Sequence, residues 1–261
     1  MYLKYIRLFS DDSVGDKKYC SDFDYHTYVM RYYLYQCLRK DKYVTDGSFD
    51  CINIVAVRKG HEETFSYNST FDIISYQIEF DFEYYDSAEE RDRCHYCIEV
   101  YKKALLRIAK YKAIPYERIV VWLNELEAKD YIDTWKFRNM LIREYGLRIH
   151  FTACLTTNDF TIRADVYRKL NEPPICGGIV VRTKPDSIHF NHIIKKFPIE
   201  GNRLYICDRW NDRFFSLDLN QLAAGNFELH ICQSIDIRAD DIELFQSLQK
   251  SLMYDGNDFD L

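Results

Sequence analysis

Three kinds of side chain in this sequence could carry chemistry by type and spacing. Cys94 and Cys97 form a C-x-x-C pair in "CHYC", the spacing used for zinc or a redox dithiol. His189 and His192 in "HFNH" have the look of a ligand pair, and Glu127-Ala128-Lys129 matches the E-x-K half of metal-dependent nucleases. The stretch "YQIEFDFEYYD", residues 76–86, read with the two-residue period of a strand, puts Glu79, Asp81 and Glu83 on one face and Tyr76, Ile78, Phe80, Phe82 and Tyr84 on the other. Alternate residues of a strand stand about 7 Å apart, so neighbouring carboxylates could bracket a divalent ion, or present negative charge to a cationic partner.

Each signal has a plainer explanation. The C-x-x-C pair falls well inside a helical pattern whose apolar stripe includes Cys97, and no second pair completes a zinc set, so both thiols read as structural. Histidines three apart on a strand point to opposite faces. The E-x-K tripeptide ends a helical pattern, whereas nuclease chemistry wants it on a strand. Gly177-Gly178 stands alone, without the longer glycine pattern of a phosphate loop. No cofactor and no metal ligand is therefore assigned.

Composition narrows the class. The chain has 261 residues, 47% apolar and 29% charged, a balance that folds by itself. Tyrosine is abundant, 22 residues against 17 Phe and 3 Trp, and its polar tip on an apolar body suits half-wet recognition surfaces. A net charge of −6 argues against general nucleic-acid binding, which needs dense Lys and Arg. The basic charges of "YKKALLRIAKYK" lie along one solvated helix face. The start, "MYLKYIRLFSDDSVGD", lacks the basic-then-apolar pattern of a signal peptide, and no long apolar run suggests a membrane span. Nine cysteines, an odd number lying mostly in apolar stretches, fit free thiols in a reducing cytoplasm.

The elements that must position these residues alternate between the two periods. Strands are expected at 2–9 and 49–57, and a helix at 24–40, where Tyr25, Tyr28, Tyr32 and Tyr35 recur at three- and four-residue steps. Ser87 and Glu90 have capping-box spacing ahead of a helix with a Cys97, Tyr101, Ala104, Leu105, Ile108 stripe. Further helices are expected at 115–129, opened by Pro115, and at 133–145, closed by Gly146. A hairpin spans 147–170 with its turn at Asn158-Asp159, and its outward side carries Arg148, His150, Thr152, Arg163, Asp165 and Tyr167. If this hairpin paired beside residues 76–84, its arginines would neutralise the carboxylates. "NEPPICGG" is the candidate joint between an α+β domain, 1–170, and a β-rich part, 177–261, with strands and a closing helix from about 240 to 253, the alternative being one continuous domain. The sum is an α+β protein with mainly antiparallel sheets packed with several helices.

The functional expectation is binding. Glu79, Asp81 and Glu83 supply charge, and Tyr25, Tyr28 and Tyr32 supply aromatic anchors, for a basic protein partner. The sharpest version is an immunity- or antitoxin-like inhibitor of a cationic effector, acting away from nucleic acid and membrane. Two alternatives stand beside it. One is a metal-dependent hydrolase or nuclease using the same carboxylates with His150 on a neighbouring strand, and the other is a structural subunit of an assembly.

Overall fold

The structure, a computed structural model, describes residues 1–185, 193–233 and 239–253. The chain divides into two compact units, Met1–Asp133 and Thr134–Leu261. The first opens with β1 (Tyr5–Ser10), α1 (Lys17–Asp41) and β2 (Cys51–Val57), continues through β3 (Phe65–Asn68) and β4 (Ile73–Glu79), and closes with α2 (Phe82–Ser87), α3 (Glu90–Ile108) and α4 (Tyr116–Glu127). Its sheet has the order β1-β2-β4-β3, with β1, β2 and β4 parallel and β3 antiparallel to β4. Parallel neighbours need a crossover, and α1 provides it between β1 and β2. Ile52, Ile54 and Ala56 of β2 are fully buried, as a central strand of a covered sheet requires.

Helix α1 begins a full turn and more before the expected start, because Asp16 caps it: its carboxylate accepts from the Tyr19 amide at 2.8 Å. Its far end is closed by Lys42 in the left-handed region, whose amide donates to the Leu38 carbonyl at 2.9 Å. The α3 stripe is as expected, with Cys97, Tyr101, Ala104, Leu105 and Ile108 all fully buried. Leu8 of the edge strand β1 ties both helices to the sheet. Its amide donates to the Tyr101 hydroxyl at 3.0 Å, and its carbonyl accepts from the Thr27 hydroxyl at 3.2 Å.

The second unit contains β5 (Asp133–Ile142), a 3-10 turn at Arg143–Tyr145, β6 (Leu147–Leu155), β7 (Phe160–Tyr167) and β8 (Cys176–Thr183), which form one sheet in that order. A second sheet, of order β12-β11-β10-β9, is built from β9 (Ile199–Glu200), β10 (Arg203–Cys207), β11 (Arg213–Asp218) and, after the short α5 (Leu219–Ala223), β12 (Leu229–Ile231). Helix α6 (Ala239–Ser251) follows, where the closing helix is expected. The hairpin is realised as read: Leu155 pairs with Phe160 at the turn, and every residue of its two apolar sides is fully buried. Apart from the β1-β2-β4 trio, the strand pairings whose register is resolved are antiparallel, and the whole is an α+β fold.

Three expectations of placement are corrected. Residues 133–145 are a strand followed by a single 3-10 turn, since Trp135 and Phe137 are half-buried between exposed Thr134, Lys136 and Arg138, a period of two. Gly146 does end that turn, in the left-handed region at φ 61°. Ser87 closes α2, its hydroxyl donating to the Glu83 carbonyl at 2.8 Å, and Glu89 stands at the N-cap of α3. The segment expected to join two domains, 171–178, instead connects β7 to β8 within one sheet of the second unit. The His189 and His192 pair lies outside the described residues.

Candidate functional site

The acidic stretch is the largest local correction. Strand β4 stops at Glu79, and the burial of Phe80, Phe82 and Tyr85 records a change from a two-residue to a helical step. Asp81 causes it. Its carboxylate accepts from the Lys59 ammonium and, as the N-cap of α2, from the Tyr84 amide at 3.1 Å, and these bonds, the Lys59 one most, hold its acid below the usual carboxylate range. Its own amide donates to the Tyr96 hydroxyl at 2.7 Å. Glu79 turns to the β2–β3 connection and accepts from the Gly60 amide at 2.8 Å, while Glu83 is exposed in the first turn of α2. The three therefore share no sheet face and do not bracket one ion.

They do belong to a larger acidic rim. Residues 79–92 hold seven carboxylates, Glu79, Asp81, Glu83, Asp86, Glu89, Glu90 and Asp92, against the single arginine Arg91. That excess of six equals the net charge of the whole chain. Five of the seven are exposed. Tyr84 stands among them, 47% exposed, with its ring edge-on to Tyr96 at 5.2 Å. Below the rim, Phe23, Phe80, Phe82 and Tyr85 interlock with centroid separations of 4.6 to 6.0 Å. Asp86 accepts from the Tyr19 hydroxyl at 2.8 Å, which fastens α2 to the first turns of α1.

The tyrosines of α1 sit differently from the expectation. Tyr28 stacks on Tyr32 at 6.2 Å, Tyr32 lies against Tyr35 at 5.9 Å, and Tyr35 stacks on Tyr5 of β1 at 5.2 Å, with the Arg31 guanidinium over the Tyr28 ring. Tyr28 is buried, and Tyr25 and Tyr32 are half-buried. The ladder leads to Tyr5 of β1, and the acidic rim to Lys59 and to Tyr19 and Phe23 at the start of α1. His150 belongs to the second unit, where it stands opposite Asp165 across β6 and β7, against the Tyr167 ring at 4.9 Å. The hairpin arginines likewise belong to a sheet of the second unit.

The E-x-K residues part company, Glu127 accepting from His95 at 2.6 Å and Lys129 turning to the Tyr33 hydroxyl at 3.2 Å. Gly177 and Gly178 are required by close packing in β8. A Cβ on Gly178 would fall 2.4 Å from the Phe227 ring, and one on Gly177 would fall 2.6 Å from an Asp165 carboxylate oxygen.

Among the described residues, one group of three ligand-type side chains converges, and sequence spacing could not reveal it. His26 of α1 meets Glu90 and Cys94, one turn apart on α3. The His26 Nε2 to Glu90 Oε1 distance is 3.2 Å, Cys94 Sγ to His26 Nε2 is 3.7 Å, and Cys94 Sγ to Glu90 Oε1 is 3.9 Å. The Tyr85 ring sits edge-on to His26 at 5.4 Å, and Arg93 approaches the other Glu90 oxygen at 3.7 Å. The His26 side chain is nine-tenths buried and its Nδ1 has no hydrogen-bond partner. Burial, with the Glu90 charge adding to it, pushes the Cys94 thiol up to about 12. Cys97 beside it is fully buried and also raised by burial.

Comparison with protein-family models, curated proteins and solved structures finds no match to this chain. Among the described residues no helix is long and apolar enough to cross a membrane, and all nine cysteines are free thiols.

Proposed function

We propose that the chain is a non-catalytic binding module that docks a basic protein partner on the acidic rim of residues 79–92, as an immunity- or antitoxin-like inhibitor of a cationic effector would in the cytoplasm. The observation that carries this reading is the concentration of exposed carboxylates around α2, with half-exposed Tyr84 in their midst. Clustered charge of one sign steers a complementary partner and raises association rates, by about 10- to 1,000-fold in favourable cases. An aromatic ring that becomes desolvated on docking slows departure. The rim is also held in one conformation before any partner arrives, by the Asp81 cap, the Tyr19–Asp86 bond and the aromatic cluster beneath. Preorganisation of this kind lowers the entropy lost on binding. Of the residues expected to bind, Glu79, Asp81 and Glu83 stay within this reading, Asp81 mainly as the cap. Tyr84 takes the anchor role in place of Tyr25, Tyr28 and Tyr32.

The test is capture and kinetics. The immobilised chain is used to isolate a partner from native extract, and binding of the purified partner is then measured for the wild type, for the triple variant Glu83→Lys, Glu89→Lys, Asp92→Lys, and for Tyr84→Ala. The triple variant is expected to associate about tenfold more slowly or worse at low salt, with a flatter salt dependence, and Tyr84→Ala to dissociate faster. A partner with an acidic docking face, or equal association rates for wild type and triple variant, refutes the reading.

A further inference from the structure

The meeting of His26, Glu90 and Cys94 is a triangle with a definite chemical meaning. Zinc binds imidazole nitrogen at about 2.0–2.1 Å, carboxylate oxygen at about 2.0–2.2 Å and thiolate sulfur at about 2.3 Å, in tetrahedral geometry. Those lengths at the tetrahedral angle separate nitrogen from oxygen by about 3.4 Å, nitrogen from sulfur by about 3.6 Å and oxygen from sulfur by about 3.6 Å. The corresponding distances are 3.2, 3.7 and 3.9 Å. The nitrogen–sulfur side agrees to about 0.1 Å and the nitrogen–oxygen side to about 0.2 Å, and the longer oxygen–sulfur side closes with a small rotation of the half-exposed Glu90 side chain. We propose that these three side chains form a binding site for a zinc-type divalent cation, clamping α1 to α3 at the base of the acidic rim.

The surroundings support the assignment. The ligands come from two helices, Glu90 and Cys94 lying on one face of α3 and His26 opposite them on α1, so the ion joins elements that packing has already brought together. Arg93 engages Oε2 of Glu90, which leaves Oε1 to face the histidine and the thiol. Tyr85 fixes the plane of the imidazole. The nitrogen, sulfur and oxygen set suits a borderline-soft ion such as Zn²⁺ and disfavours Mg²⁺ or Ca²⁺, which take oxygen ligands. Three protein ligands leave a coordination position, and the half exposure of Glu90 gives water access to the site. The Nδ1 of His26 lacks the outer hydrogen bond that usually strengthens a metal-bound histidine, and loss of such a partner typically weakens affinity 10- to 100-fold. The site is therefore weaker than a closed structural zinc centre, and a chelator strips it without unfolding the chain.

The site is independent of partner docking and is tested without a partner. Full-length reduced protein is stripped with chelator, then titrated with Co²⁺ as a spectroscopic probe and with Zn²⁺ by calorimetry, with circular dichroism to confirm that each variant is folded. One equivalent of Co²⁺ is expected to give tetrahedral d–d absorption and a thiolate-to-cobalt charge-transfer band, both lost when Zn²⁺ displaces it. Cys94→Ser should abolish the charge-transfer band. Glu90→Gln, at a half-exposed position that endangers folding least, should weaken binding by about tenfold or more. Cys37→Ser, three turns further along α1, should change neither. Absence of stoichiometric binding to the folded wild type overturns the assignment, as does a band that survives Cys94→Ser together with unchanged affinity in Glu90→Gln.

Discussion

Replacing Tyr101 by Phe tests how the helix carrying Glu90 and Cys94 is held to its sheet. Tyr101 is fully buried, and its hydroxyl accepts the Leu8 amide at 3.0 Å, at a point on β1 where no second strand can take that donor. Phe keeps the ring and the packing and removes the acceptor alone. The Leu8 amide, on a residue 2% exposed, is then left without a partner, a loss of about 1–3 kcal/mol for a buried donor. Removal of the hydroxyl's own desolvation offsets part of this, so about 1–2 kcal/mol is expected. Tyr96→Phe on the same helix is the control. It also removes an acceptor, for the Asp81 amide at 2.7 Å, but Tyr96 is half-buried and water can substitute, so about 0.5 kcal/mol is expected. Urea unfolding followed by circular dichroism and tryptophan fluorescence measures both, with an unchanged slope as the condition for comparing midpoints. Equal midpoints for the two variants, or a Tyr101→Phe loss under about 0.5 kcal/mol, would refute the claim that this bond anchors α3.

Further expectations concern the cap, a buried acid, a glycine and the thiols. Asp81→Ala should destabilise α2 by about 0.5–2 kcal/mol and weaken partner binding with it, whereas Asp81→Asn, which can still cap, should retain most of both; equal effects in a binding and unfolding series would show that charge, not capping, is its role. Burial holds the Asp133 carboxyl above the usual carboxylate range, opposed by Lys129, Lys40 and its bond from Gln36. A raised acid binds its proton more tightly when folded, so its contribution to stability is present at low pH and lost as pH rises through its folded value. Asp133→Asn should flatten the fall in stability as pH rises from about 4 through the raised folded value, and an unchanged pH profile would contradict this. Gly178→Ala must displace the Phe227 ring and should cost about 1–3 kcal/mol by thermal or urea unfolding, more than any effect at a mere loop glycine. Thiol titration of the denatured, unreduced chain should find nine free groups, and in the native metal-free state the fully buried Cys94, Cys97 and Cys207 should react last; protected pairs would contradict the free-thiol assignment.

Much of the fold was legible because its periodicities were long and clean. The hairpin of β6 and β7 and the α3 stripe each repeat one period over several buried residues, and both form as read. Short aromatic runs were not legible in the same way. "EFDFEYY" alternates like a strand, yet the bond from the Tyr84 amide to Asp81 turns it into a helix, and "TWKFRN" has helix-compatible spacing but lies in a sheet. The parallel trio of the first unit was hidden because parallel pairing is decided by a crossover, which leaves no local mark. The site divides similarly. The acidity of residues 79–83 is visible in the sequence, whereas the convergence of His26 with Glu90 and Cys94 spans more than sixty positions and follows only from the packing of α1 on α3. C-x-x-C spacing pairs Cys94 with Cys97, whereas the helix turns Cys94 to the histidine.

The central claim is that exposed carboxylates of the α2 rim steer a basic partner. Its most direct measurement is the association rate constant of the captured partner as a function of ionic strength, for the wild type and for the Glu83→Lys, Glu89→Lys, Asp92→Lys variant. The account predicts a steep fall with salt for the wild type, a much shallower dependence for the variant, and convergence of the two rates once salt screens the charges beyond a Debye length of about 3 Å at 1 M. Parallel salt dependences that never converge would contradict it.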